Sequence, residues 1–141
     1  MQHSSNDLGT PKDLALHRIN VAKEDLETAE SNYLENHLRA ANNRAYYAIY
    51  HAMTAVLAIE SVAFKRHKDT IAYFNKFYVK IEVFPRELGR KISVAQEIRH
   101  ASDYDEFYLV TKEETEAQID SARELIELVE IFLTNYSSVE K

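Results

Sequence analysis

Apolar residues recur at helical spacing along almost the whole chain. Between Leu38 and Ile59, the positions Leu38, Ala41, Ala45, Ala48, Ala52, Ala55 and Ile59 step by three or four and share one face of a 3.6-residue period. Tyr46 and Tyr50 fill the flanks, so this stretch predicts a central helix packed on more than one side. Ahead of it, Ala15, Ile19, Ala22, Leu26, Ala29 and Tyr33 form a bundle-type stripe. Thr10 suits the cap of that first helix, Pro11 its first turn and Asp13 its positive end. The pattern breaks at Glu35-Asn36-His37.

After Ile59 the run Lys65-Arg66-His67-Lys68 reads as an inter-helix loop. A shorter third segment follows, from Asp69 to about Lys80, with Ile71, Phe74, Phe77, Tyr78 and Ile81 as its apolar contacts. Phe84-Pro85 sets the next boundary, because proline disfavours helix at the residue before it. From Pro85 a fourth helix carries Leu88, Ile92, Ala95 and Ile98 and should fail near Ser102-Asp103. Thr111-Lys112-Glu113-Glu114 is a capping-box sequence that opens the last helix, striped by Ile119, Ala122, Ile126, Val129, Leu133 and Tyr136. The expected fold is all-α: an up-and-down antiparallel four-helix bundle with an additional short helix.

Composition narrows this further. Only two Gly and two Pro in 141 residues leave little turn punctuation, as long helices require. One domain over 10–137 is expected, between a disordered polar tail at 1–9 and a short tail at 138–141. The absence of Cys excludes disulfides and thiolate metal sites and suits a reducing cytoplasm. With no apolar run near the ~18 residues of a membrane span, a cytoplasmic protein without membrane contact is expected. The net charge of −6 argues against broad charge-driven nucleic-acid binding but leaves room for a local basic site.

Candidate chemistry sits on the second face of the central helix, where Arg44, Tyr47, His51 and Thr54 again step by three and four. Seven residues make nearly two turns, so Arg44 and His51 project alike from Cα atoms about 10 Å apart. An Arg fork can grip a phosphate and a nearby His can move a proton near neutral pH, a pairing suited to metal-free RNA cleavage by the 2′-hydroxyl. On spacing alone the pattern reads first as Arg44 paired with a carboxylate and His51 as a satisfied core histidine. Arg99 and Asp103 can form an i,i+4 ion pair. The acidic run Asp103-Tyr104-Asp105-Glu106 lacks the spacing of a calcium loop, so no metal and no cofactor is expected there. Tyr46, Tyr47 and Tyr50 could stack on bases or pack the core. Glu24, Asp25, Glu27 and Glu30 read as a solvated acidic face. No phosphate-loop, dinucleotide, zincin or nucleophile-elbow motif is present.

The segments NNRAYYAIYHAMTAVLAIES, FKRHKDTIAYFNKFYVK, FPRELGRKIS and RHASDYDEF resemble the HEPN domain, over about Leu14 to Phe132. That resemblance implies a helical bundle and a homodimer joined through the faces bearing its polar motif. It also implies either metal-independent ribonuclease activity, often as the toxin of a toxin–antitoxin pair, or a non-catalytic RNA- or nucleotide-binding role. A minimal nucleotidyltransferase is the partner it suggests. Active members carry R-x4–6-H on the late helix. Here Arg99 is the late Arg, but Tyr104 stands where His would be, and Arg44-x6-His51 meets the written pattern one helix earlier. The site expected from this has Arg44 and Arg99 on phosphate, His51 on the proton and Tyr104 with Asp103 orienting. Tyr47 lines it and Lys68 assists substrate binding. The alternative is a binding module that uses the same cleft for a nucleotide or its tyrosine-rich faces for a nucleotidyltransferase.

Overall fold

The Thr10 side chain accepts a hydrogen bond from the Asp13 amide at 3.0 Å and starts helix α1 (Pro11–Leu34). In the computed structural model, which describes the backbone over 9–140 and side chains as far as 136, four more helices follow. They are α2 (Leu38–Ile59), α3 (His67–Phe74), α4 (Glu87–Tyr104) and α5 (Lys112–Glu140). Residues 1–8 and 141 lie outside the described residues, and with them nearly all of the expected N-terminal tail. The chain is all-α, as its periodicities predict.

The corners use unusual residues. Asn36, Ser61 and Glu82 have φ of 65°, 58° and 64° and turn the chain after α1, α2 and the α3 segment. That left-handed region usually falls to glycine, and this sequence has only two.

Helix α2 is the hub, packing on α1, α3, α4 and α5. Ala41, Ala45, Ala48, Ala52 and Ala55 are fully buried, and their small side chains let α1 and α5 come close. The ion pairs Lys23–Glu130 and Arg123–Glu30 run in opposite senses along α1 and α5, which fixes those helices as antiparallel. Beneath α3, Phe74 is fully buried among Tyr78 and Phe84, while Phe132 of α5 meets Tyr78 and Phe84.

Several boundaries differ from expectation. His67 and Lys68 belong to the first turn of α3 rather than to a loop. Helix α4 begins at Glu87, two residues past Pro85, and continues through Ser102 and Asp103 to Tyr104. The capping box before α5 forms only in half. Thr111 Oγ1 accepts from the Glu114 amide at 3.0 Å, but the Glu114 carboxylate accepts from the Tyr108 hydroxyl instead of turning back on Thr111.

The third segment holds the main surprise. Asn75–Val79 forms a π-helical turn, with the Lys80 amide bonded to the Asn75 carbonyl at 2.8 Å. The wider turn shifts the side-chain phase. Tyr78 and Val79 are buried, whereas Phe77 and Ile81, expected as core contacts, are exposed.

Candidate functional site

Asp25 organises the polar centre of the bundle. Its carboxylate, only 7 % exposed on α1, accepts from Arg44 at 2.9 Å through Oδ1 and meets His51 Nδ1 at 2.8 Å through Oδ2. Arg44 and His51 do project alike from α2, and a single carboxylate holds both. An ionised carboxylate only accepts, so His51 Nδ1 carries the proton in this contact. Nε2 is then the nitrogen left for proton exchange. His51 is partly exposed and lines a cavity of about 330 Å³ with Arg18, Tyr50, Thr54 and Phe64.

Tyr47 links the two arginines. The Arg44 guanidinium lies 5.1 Å from its ring centre and the Arg99 guanidinium 5.5 Å, within cation–π range. An Arg99 amino group also donates to the Tyr47 hydroxyl at 3.2 Å. Arg99 reaches Asp103 less closely, at 3.7 Å, an ion pair without hydrogen-bond geometry. Its Nε is buried and finds no acceptor among the described residues. Beyond Arg99 lies a second cavity of about 410 Å³, lined by Arg39, Asn42, Asn43, Ser102 and Asp103. Arg99 thus borders that cavity while bonding to the Tyr47 hydroxyl.

The structure brings Arg44, Tyr47, His51 and Arg99 into one cluster with Asp103 at its edge. Tyr104 and Lys68 are elsewhere. Tyr104 is 75 % exposed at the end of α4, its ring against His100 at 4.7 Å. Five residues advance a helix by about 140° beyond a full turn, so Tyr104 faces away from Arg99 while Asp103 faces with it. Lys68 is exposed in the first turn of α3.

Two residues that join the polar cluster and its aromatic wall are not among those the sequence predicts for the site. Asp25 is not part of a solvated acidic face. It falls three residues after Ala22 and four before Ala29, in phase with the buried stripe, and that phase is the signal that marks it. The other is His67, stacked on Tyr50 with ring centres 3.9 Å apart and its Nδ1 2.9 Å from the Tyr46 hydroxyl. No local pattern announces these long-range contacts. Tyr46 and Tyr50 themselves are buried, which makes them core rather than free stacking surfaces.

Burial lowers the proton affinity of His67, and the positive Arg99 and nearby His51 lower it further. Burial raises the Tyr46 phenol to about 12 despite the opposing pull of Arg99. For His67 the unfolded chain therefore binds more protons once pH falls below about 6.5. Its contribution is complete above that value and is lost as pH drops through it toward the folded value. His67→Phe keeps a ring on Tyr50 but cannot titrate. Its melting temperature should fall less than that of the parent between about pH 7 and pH 5. An equal fall in both proteins, read by thermal melts across that range, would exclude His67 as the responsible group.

The HEPN domain family matches residues 15–132, and the chain belongs to that family. A UPF0332 protein of Thermotoga maritima is 29 % identical over 109 residues, covering 77 % of this chain and 83 % of its own. Two Methanocaldococcus jannaschii proteins are each 30 % identical and are named "Putative toxin MJ0142" and "Putative toxin MJ0605". The first match covers 70 % of this chain and 67 % of the relative, the second 73 % of both. Among the described residues no helix is long and apolar enough to cross a membrane.

Proposed function

We propose that this chain is a toxin-type HEPN protein that acts on RNA, cleaving it without a metal at the Asp25–Arg44–Tyr47–His51–Arg99 cluster. The observation that carries this reading is the buried Asp25, which holds His51 by Nδ1 and leaves Nε2 for the proton. In the reaction, His51 Nε2 takes the proton of a 2′-hydroxyl as its oxygen attacks the adjacent phosphorus. The P–O5′ bond breaks, leaving a 2′,3′-cyclic phosphate and a 5′-oxygen that takes a proton from water to become a 5′-hydroxyl. The arginines neutralise charge on the phosphate oxygens, a role suited to their fork of donors. Tyr47 fixes where the two guanidiniums stand. By analogy with its family the protein works as a homodimer in the cytoplasm, beside a minimal nucleotidyltransferase.

A second reading has its own support. Tyr104 occupies the place of the late-helix His and faces away from Arg99, and Arg44 is already bonded to Asp25. Both facts favour a non-catalytic module that binds RNA, a nucleotide or a nucleotidyltransferase. The two readings separate when pure protein is incubated with mixed RNA, with and without EDTA, beside Arg99→Ala and His51→Ala. Cleavage that survives EDTA and is lost in both variants is the expected result. Intact RNA with every protein sinks the nuclease reading in favour of the binding module. Cleavage that persists in both variants would show that the site lies elsewhere.

A further inference from the structure

Charge is divided unevenly along this chain. Residues 62–93 hold eight Lys and Arg against three Asp and Glu, a net of +5, so the remainder carries −11 of the total −6. Within this basic segment three aromatic rings stand in a row. Phe64 and Tyr73 have ring centres 5.5 Å apart, and Tyr73 and Phe77 4.5 Å. Phe64 and Phe77 are 40 % and 42 % exposed, and the Tyr73 hydroxyl is anchored on Glu60 at 2.9 Å. Lys76 lies over the Phe77 ring at 5.2 Å, and Lys65, Arg66, Lys68 and Lys80 are exposed nearby in sequence.

The π-helical turn explains why Phe77 is outside. One extra residue per turn brings Tyr78 and Val79 to the core and turns Phe77 toward solvent. Phe64 also lines the cavity that contains His51, so the row begins at the wall of the candidate site.

We propose that Phe64, Tyr73 and Phe77 form a stacking platform for single-stranded RNA running to or from the His51 cavity. Lys65, Lys68, Lys76 and Lys80 hold its phosphates. This rests on the RNA reading above and adds to it a substrate class and a second binding surface. Exposed rings offer faces on which any unpaired base can stack, and interleaved cations follow the backbone. A duplex keeps its bases stacked inside and has no free faces to offer. The core of a protein–protein interface is depleted in lysine, which argues against a second protein as the occupant.

The test is fluorescence anisotropy with a labelled oligouridylate and with a duplex RNA of equal length, in a His51→Ala background so that no RNA is consumed. The single strand is expected to bind more tightly than the duplex. Phe64→Ala and Phe77→Ala should each weaken it about tenfold with the helical circular dichroism unchanged. Joint Lys65→Ala and Lys68→Ala should flatten the slope of log affinity against log salt by about 1.4. Unchanged affinity in both ring variants, equal binding of duplex, or no binding of the single strand overturns the platform. Failure of the nuclease reading is separate. RNA held through Phe77 but never cut by the parent leaves the platform standing, whereas cleavage with indifferent ring variants removes the platform alone.

Discussion

Asp25→Asn is expected to lower the RNA-cleavage rate at least about 100-fold while leaving the fold intact, a loss in the range associated with removing a general base. The change is nearly isosteric, so the effect falls on protons rather than on shape. If the new amide oxygen accepts from Arg44, the amide nitrogen is left facing His51 Nδ1 and can only donate to it. Nδ1 must then be bare and Nε2 must carry the hydrogen, which removes the base from the nitrogen that needs it. Single-turnover cleavage of a labelled RNA measures the loss, and a rate equal to the parent's would remove His51 from the proton step. Asp25→Ala tests the structural side of the same contact. It strands the Arg44 guanidinium and the His51 Nδ1–H and should cost about 2 kcal/mol, less than for a fully buried pair because both partners are about one-third exposed. Arg44 and His51 therefore read as one unit with Asp25, and their single variants should be strongly non-additive with it.

Phe74→Ala should have the largest effect on stability. Phe74 has no exposed surface and packs against Tyr78 and Phe84, so its truncation opens a cavity where α3 seats on the bundle. The expected cost is about 3–5 kcal/mol. At roughly 3 °C per kcal/mol for a chain of this size, the melting temperature should drop by about 10 °C or more. A drop of only about 3 °C would mean that the α3 region carries little of the global stability. The circular dichroism should retain most of its helical signal below the transition, because α1, α2, α4 and α5 keep their own contacts.

Much of the fold was legible because helices announce themselves by phase. The alanine series from Ala41 to Ala55 marks α2 as the centre, since only small residues let neighbours approach from several sides. The stripe in α1 was equally plain, yet Asp25 was missed within it. Its acidic neighbours Glu24, Glu27 and Glu30 suggested a wet face, although its own position matched the buried phase. Phe77 and Ile81 were misplaced for a different reason. A fixed 3.6-residue period cannot anticipate a π-helical turn, which resets the phase midway through a segment. In the candidate site, the common direction of Arg44 and His51 followed from spacing alone. The arrival of Arg99 at Tyr47 joins positions 52 residues apart, and His67 reaches Tyr46 and Tyr50 across a bend, so neither leaves a local trace.

The corners at Asn36, Ser61 and Glu82 have a consequence that lies in the denatured chain. A residue with a Cβ strains in the left-handed region, but it also has fewer conformations to surrender than glycine when it folds. Each such corner exchanges about 1 kcal/mol of native strain for a comparable saving in chain entropy. With only two glycines in 141 residues, few positions of the disordered chain have glycine's extra backbone freedom to lose on folding. Strain and saving nearly cancel, so these corners hold their left-handed turns at little net cost in stability.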